Sequence, residues 1–223
     1  TRNSTEIEIQ EDDEKKPIEI NVVKPDDLPQ TVEKVTKYNR NKSQLQEWLL
    51  YCIMVAGKKS EIETQKLAKF LRDGRMGFNL SPFEMIRKLL KISSVEEDGL
   101  KQQLKKYGIA PYGQRYNSFV DAVTLLPDDL SEVTIDDLQQ VRGISTKTSR
   151  FFLTHSREDF DEPVIDTHIL RFLRDEGHDV PESTPQNPKV YAKVAQYFRD
   201  IANARKQSVT ELDLEIWTQY SYG

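Results

Sequence analysis

Apolar residues recur at helical spacing along most of the chain, beginning near residue 31. The run QLQEWLLYCIMVA at 44–56 is apolar on nearly every side, which predicts a buried central helix. Ser81-Pro82 is typical of a helix start, because serine caps the first turn and proline is tolerated at its first position. Further helices are predicted at 31–39, 60–71, 96–106, 114–125, 134–141, 147–155, 166–176, 188–204 and 208–220.

Strand-like alternation is scarce and lies mainly in the EIEIQ and IEINVV stretches near the N-terminus. The pattern therefore predicts an all-α fold without internal repeats. No apolar run approaches the length that crosses a bilayer, so the sequence gives no reason to expect a membrane partner.

The charge of the chain is unevenly distributed. Residues 1–28 hold four basic and nine acidic residues, so this segment carries the whole net charge of −5. Because residues 1–29 are also polar and interrupted by prolines, we expect a flexible acidic tail. The rest of the chain is neutral overall and can still present a basic face to nucleic acid.

Cys52 is the only cysteine, which excludes a disulfide framework, a four-thiolate zinc site and an iron–sulfur cluster held by this chain alone. The first residues lack the basic and apolar pattern of a signal peptide, which favours a reducing, intracellular setting. The three histidines have no ligand spacing with cysteines or carboxylates, so no metal site made of side chains is predicted.

The segment 136–153 has the pattern of two helices joined by a tight turn at 142–145. The second helix is predicted to start near Thr146. Unpaired N–H groups and the helix dipole make such a start favourable for a phosphate, so this hairpin can hold a DNA backbone without reading bases. An ordinary corner in a helical core would produce the same spacing, and that alternative stays open at this point.

Two motifs carry a family resemblance. The run VRGISTKTS at 141–149 and the run PVIDTHILR at 163–171 resemble the hairpin and the aspartate segment of the endonuclease III and 8-oxoguanine glycosylase superfamily, with Asp166 19 positions after Lys147. The YGQRY run at 112–116 is similar to a helix start upstream of the hairpin in that family. The similarity is strong over 136–175 and weak over 45–220. Arg142 and Ser145 replace the usual proline and second glycine, and the missing cluster cysteines favour a branch without an iron–sulfur cluster.

The resemblance implies a DNA glycosylase that flips a modified base out of the duplex and cuts its glycosidic bond. Lys147 is expected to attack the sugar and, through a Schiff base, to cleave the strand as an AP lyase. An amine attacks only when unprotonated, and the positive end of a helix dipole disfavours an ammonium. Asp166 is expected to stabilise the cationic sugar and to shuttle a proton. A solvated lysine and a simple helix cap are the plain alternatives for these two residues.

The resemblance also implies contacts to duplex DNA and a pocket for the base. The DNA-contacting candidates are Arg142, Gly143, Ser145, Thr146, Thr148, His168, Lys58 and Arg115. Lys58 lies where relatives carry a residue that fills the gap left by the flipped base. The aromatic candidates for the base pocket are Phe151, Trp217 and Tyr220, although aromatics at helical spacing more often pack in a core. No cofactor is expected, except that backbone carbonyls at 141–144 could bind a monovalent cation, as in relatives.

The predicted architecture has two helical lobes with DNA in the cleft between them. One lobe is a helical barrel over 50–156 with the helix-hairpin-helix motif at 136–153, and the other combines 30–49 with 157–223. The protein is expected to act as a monomer on double-stranded DNA containing a modified base. It is expected inside the cell with its DNA, in the cytoplasm or nucleoid or in the nucleus.

One alternative is an enzyme of the same fold that alters a base without excising it, as in phage thymine hypermodification. Another is a non-catalytic DNA-binding module, which the acidic charge balance disfavours.

Overall fold

The structure of the chain is a computed structural model that describes residues 36–55, 60–92 and 97–221. Over these residues the secondary structure is helical, with ten α-helices and no β-strand. The predicted all-α class is confirmed. The predicted acidic tail at 1–29, and Lys58 with its predicted DNA contact, lie outside the described residues.

The helices follow the predicted order. In chain order they are α1 (Lys42–Val55), α2 (Ser60–Gly74), α3 (Pro82–Lys91), α4 (Gly99–Lys106), α5 (Tyr112–Leu125), α6 (Ile135–Gln139), α7 (Thr146–Thr154), α8 (Thr167–Asp175), α9 (Pro188–Arg205) and α10 (Val209–Ser221).

Local signals in the sequence explain where several helices begin. Ser81 caps α3 in a capping box with Glu84, and Pro82 occupies the first helical position. Asn187 caps α9 through its side chain, again with a proline at the first position. The helix predicted at 31–39 is wrong in its second half, since residues 36–40 are not helical. This segment instead holds the end of α7, where the Lys37 N–H donates to the carbonyl of His155 at 3.1 Å.

The first hydrophobic cluster is built around α1. Nine of its residues are buried, in agreement with the predicted central helix. Trp48 is 1% exposed and its indole N–H donates to the Phe152 carbonyl at 3.0 Å, which ties α1 to α7. Buried side chains of α2 to α7 complete this cluster.

The second hydrophobic cluster is formed by α8, α9 and α10, with buried residues from Ile165 to Ile216. Leu45, Trp48 and Leu49 belong to the first cluster, although they lie within the range 30–49 that the sequence analysis assigned to the second lobe. Two clusters do not by themselves define domain boundaries, so the division into two lobes stays a prediction. The loop between α7 and α8 leads from one cluster to the other, and Lys147 and Asp166 stand at the starts of those two helices.

Candidate active site

The turn between α6 and α7 is held in a conformation that favours glycine. Gly143 has φ +87°, and a Cβ at this position would lie 2.8 Å from the Ser118 hydroxyl of α5. The same hydroxyl donates to the Arg142 carbonyl at 2.6 Å. The hairpin is therefore fixed to α5 by a contact that leaves no room for a side chain.

Arg142 anchors the same turn from the other side. Its backbone N–H donates to Asp121 Oδ2 at 3.0 Å, and its guanidinium donates to both oxygens of that carboxylate at 2.6 and 2.7 Å. The Arg142 guanidinium holds the pKa of Asp121 below its usual range. The proline that relatives carry here would lack the N–H, so the arginine replaces a rigid turn residue with a fixed ion pair.

Ser145 is the N-cap of α7, and its extended backbone with φ −86° needs no glycine. Its hydroxyl accepts from the Thr148 N–H at 3.2 Å. Lys147 is therefore the second residue of a capped helix. Its side chain is 44% exposed, which leaves the amine accessible to a substrate.

Asp166 is the N-cap of α8. One carboxylate oxygen, Oδ1, accepts from the N–H groups of His168 and Ile169 at 2.9 and 3.0 Å. Its other oxygen, Oδ2, lies 4.0 Å from the Nζ of Lys147. The capping bonds fix the direction of this side chain, so the second oxygen faces the lysine. The two residues predicted to share the chemistry are brought together.

Tyr191 of α9 fixes the loop that leads to Asp166. Its hydroxyl donates to the Pro163 carbonyl at 2.8 Å and accepts from the Ile165 N–H at 3.1 Å. Burial is the main cause that raises the pKa of Tyr191 to about 12, so the hydroxyl keeps its proton and can donate. The carboxylate of Asp166 is thus positioned from both sides, by this tyrosine before it and by the helix start after it.

A third ionisable group, Asp213 of α10, lies close enough to the pair for their charges to act on its pKa. Its side chain is half-buried, with enough protein around it that burial is the largest cause of a pKa raised to about 8. The negative charge of Asp166 acts in the same direction, and the positive charge of Lys147 opposes it. The charge of Asp213 also helps to raise the pKa of Tyr191. This carboxyl therefore belongs to the same group of residues.

No protein-family model matches the chain. The 8-oxoguanine DNA glycosylase/AP lyase of Methanocaldococcus jannaschii is 27% identical over 184 residues, which cover 80% of this chain and 82% of that protein. A protein of the same name from Saccharolobus islandicus is 29% identical over 135 residues, which cover 60% of this chain and 63% of that protein.

Solved structures agree with these relatives. The crystal structure of the Methanocaldococcus jannaschii 8-oxoguanine glycosylase/lyase in complex with a 15mer DNA containing 8-oxoguanine has a TM-score of 0.62 at 20% identity and covers 86% of this chain and 88% of that one. The 8-oxoguanine DNA glycosylase of Thermotoga maritima has a TM-score of 0.62 at 18% identity and covers 85% of this chain and 86% of that one. The predicted resemblance to the endonuclease III and 8-oxoguanine glycosylase superfamily is confirmed.

On this glycosylase fold, two of the predicted DNA-contacting side chains are buried. Arg115 is 4% exposed, and its guanidinium donates to the Met54 carbonyl at the end of α1. Thr148 is 6% exposed and lies against Ser145. These two side chains therefore support the helix ends and are not available to DNA. Thr146 and His168, in the first turns of α7 and α8, are exposed at least in part.

The predicted base-pocket aromatics are placed in three different environments. Phe151 packs in the first cluster, with its ring centre 5.3 Å from Trp48 and 4.8 Å from His155. Tyr220 donates to Asp175 at 2.7 Å, at the end of α8 opposite to Asp166. Trp217 is half-buried on α10, one helical turn beyond Asp213.

Sequence reasoning missed four residues around the candidate site, namely Ser118, Asp121, Tyr191 and Asp213. Each belongs to a helix whose periodicity explains it as an ordinary half-buried or buried position. Asp213 follows an acidic residue in the run TELDLEIW, and this pattern carries no signal for a site. Within the described ranges, no group of three or more histidine, cysteine, aspartate or glutamate side chains could hold a metal ion.

Proposed function

We propose that this protein is a DNA glycosylase with AP-lyase activity that excises a modified base from duplex DNA. The single observation that carries the proposal is the approach of Lys147 Nζ to Asp166 Oδ2 at 4.0 Å, with both residues held at capped helix starts. The names of the relatives make 8-oxoguanine the first base to test.

The chemistry follows from the positions of these two groups. Lys147, after losing its ammonium proton to solvent, attacks C1′ of the sugar as a free amine, and the base leaves with the electrons of its bond. Positive charge that develops on the sugar is stabilised by the Asp166 carboxylate. Asp166 then carries a proton from the lysine nitrogen to the ring oxygen, the sugar ring opens, and a Schiff base forms. Loss of a proton from C2′ permits β-elimination of the strand.

The hairpin is proposed to hold the DNA backbone. Ser145 caps the Thr148 N–H, which leaves the N–H groups of Thr146 and Lys147 at the start of α7 for a phosphate. Gly143 allows a close approach of the backbone, and the exposed Ser145 hydroxyl and His168 imidazole are further candidates. We assign Arg142 to the support of the turn, because Asp121 already holds its guanidinium.

A monovalent cation at the hairpin remains a finer part of the proposal. Within the range 141–144, the Val141 carbonyl accepts from the Ile144 N–H at 3.1 Å, and the Arg142 carbonyl accepts from Ser118. Each oxygen keeps a second lone pair, so the carbonyls fit a cation that would stiffen the turn and add positive charge for a phosphate. No step of the reaction depends on it.

We propose that one chain suffices for activity, because Lys147, Asp166 and Asp213 all belong to it. DNA would lie in the cleft between the two lobes, with Trp217 against the flipped base. A role in base excision would place the protein with the DNA of the cell. None of the helices over the described ranges is long and apolar enough to span a membrane.

The experiment is a panel of duplexes containing 8-oxoguanine, a deaminated base or an alkylated base, incubated with excess protein under single-turnover conditions. Borohydride reduces the Schiff base and traps the protein on DNA. We expect trapping with at least one duplex and its loss in Lys147→Gln. Asp166→Asn keeps a good helix cap and removes the charge, so excision should slow by about 10²- to 10⁴-fold.

Matched control variants are available on the same chain. Lys189 is also the second residue of a capped helix but is fully on the surface of α9, and Asp98 is also an aspartate N-cap. Lys189→Gln and Asp98→Asn should trap DNA as the wild type does. No trapping with any duplex would favour base modification without excision. Unchanged activity in Asp166→Asn would favour a DNA-binding module.

A further inference from the structure

Asp213 lies level with the start of α8, and the packing of two helices establishes this independently of its charge. Helices α8 and α10 pack against each other. Tyr220 of α10 donates to Asp175 at the end of α8, whereas Asp161, in the loop before α8, accepts from the N–H groups of Val209 and Thr210 at the start of α10. The two helices therefore run parallel. Asp213 precedes Tyr220 by seven residues, or about 10 Å along the axis, and this brings it level with the first turn of α8.

The carboxyl group of Asp213 has no hydrogen bond or ion pair with the protein over the described ranges, although it is half-buried. Neighbouring acidic residues on the same helices are used. Asp161 caps α10 and Asp175 accepts from Tyr220. Asp166 caps α8 and faces Lys147. A half-buried carboxyl without a protein partner is available to a ligand or to a proton.

We propose that Asp213 is the general acid that delivers a proton to the base as the glycosidic bond breaks, an inference that rests on the proposed function.

The two carboxyl groups have different surroundings. Asp166 accepts two backbone N–H groups and faces Lys147. Asp213 lacks such donors and keeps its proton at neutral pH, in line with its pKa of about 8. A carboxyl that is protonated at neutral pH can act as a general acid toward a departing group. The charged and titratable groups around Asp213 are Asp166, Lys147 and Tyr191.

The step balances as follows. The Lys147 amine forms a bond to C1′ while the bond from C1′ to the base nitrogen breaks, and its electron pair moves to the base. The Asp213 Oδ–H bond breaks and its proton neutralises the departing base. Asp213 is left as a carboxylate beside the new cationic nitrogen, and it regains a proton from solvent after the base has left. No oxidant, metal or further reactant is needed.

The test compares two substrates, a duplex containing 8-oxoguanine and a duplex with a preformed abasic site that has no base to protonate. Asp213→Asn keeps the size and the hydrogen-bonding capacity of the protonated acid but cannot give up a proton. We expect the ratio of the excision rate to the rate of abasic-site cleavage to fall about 10²- to 10⁴-fold, under single-turnover conditions. Asp213→Glu should recover part of the ratio. Wild-type excision should decline above about pH 8, and that decline should be absent in Asp213→Asn.

Other outcomes would overturn the inference. If Asp213→Asn slows both reactions equally, the residue is structural, and thermal unfolding of the variant would show it. If Asp213→Asn is normal and Asp213→Leu loses excision alone, the carboxyl binds the base by hydrogen bonds and transfers no proton. A wild-type protein that cleaves neither substrate would refute the proposed function itself, which separates that failure from a failure of this assignment.

Discussion

The guanidinium carbon of Arg150 lies 4.5 Å from the centre of the Tyr191 ring. Arg150 belongs to α7, one turn after Lys147, and the hydroxyl of Tyr191 bonds to the loop that ends at Asp166. This cation–π contact therefore joins the helix that carries the amine to the loop that carries the carboxylate. We therefore expect this pair to help set the distance between Lys147 and Asp166.

Tyr191→Phe tests this coupling. The change keeps the ring and its contact with Arg150 but removes the hydroxyl, and the buried Ile165 N–H loses its partner. We expect a loss of about 1–3 kcal/mol in unfolding free energy. Because Asp166 becomes less well positioned, excision should slow by about tenfold or more, with little change in DNA affinity.

Tyr197→Phe is the matched control for that change. Tyr197 is half-buried on the same helix, and its ring stacks on His178 with centres 4.4 Å apart, away from the loop. This variant should keep wild-type rates. A normal excision rate in Tyr191→Phe would mean that the capping bonds alone position Asp166.

The motifs predicted the two residues that meet at the candidate site because both catalytic candidates are fixed by local structure. Lys147 and Asp166 each stand at a helix start, and helix starts carry sequence signals. Their supports could not be predicted. Asp121 holds Arg142 from 21 positions away, and an aspartate within a helix carries no sign of its partner. Arg115 is buried, contrary to the predicted DNA contact, because its motif marks a helix start but does not tell which way the side chain faces.

The aromatic residues show the same limit of sequence reasoning. Phe151, Trp217 and Tyr220 all lie on helices with suitable spacing, and only tertiary packing separates them. Phe151 fills the first cluster against Trp48, and Tyr220 is bonded to Asp175. Asp213 was missed because the charge state that makes it interesting arises from burial and from Asp166, and neither can be read from adjacent residues.

Gly143→Ala should destabilise the hairpin by more than its backbone conformation alone explains. Gly177 has nearly the same φ, +89° against +87°, but a Cβ there would meet nothing within 4 Å. Gly177→Ala therefore measures the conformational cost, about 1–2 kcal/mol. The clash with the Ser118 hydroxyl should add about 1–3 kcal/mol in Gly143→Ala, measured by denaturant unfolding.

The double change Gly143→Ala with Ser118→Ala separates the clash from the backbone strain. Removing the hydroxyl makes space for the new methyl group, so part of the lost stability should return relative to the sum of the single changes. Equal losses in Gly143→Ala and Gly177→Ala would contradict the close approach of the turn to α5.

Asp121→Ala should weaken DNA binding even though it removes a negative charge. Charge alone predicts tighter binding, since phosphates repel a carboxylate. Losing the three hydrogen bonds to Arg142 should instead loosen the hairpin, and we expect about tenfold weaker affinity for duplex DNA, or about 1.4 kcal/mol. Affinity is measured by fluorescence anisotropy at a fixed salt concentration. Asp200→Ala, at an exposed position of α9, is the charge-matched control and should bind as well as or better than the wild type.

His155 should make the stability of the fold depend on pH. Burial, helped by the positive charge of Arg40, lowers the pKa of His155 from 6.5 to about 4. Between these values the unfolded chain binds more protons than the folded one, so stability is present above about pH 6.5 and is lost as the pH falls toward 4. The full loss amounts to about 3 kcal/mol.

Denaturant unfolding of His155→Gln should show a smaller decrease in unfolding free energy between about pH 7 and pH 4 than the wild type, whatever its absolute stability. His178→Gln, which changes a half-buried histidine that stacks on Tyr197, should keep the wild-type dependence. If the unfolding free energy of His155→Gln depends on pH as strongly as that of the wild type, the carboxylates of the fold, and not His155, cause its sensitivity to acid.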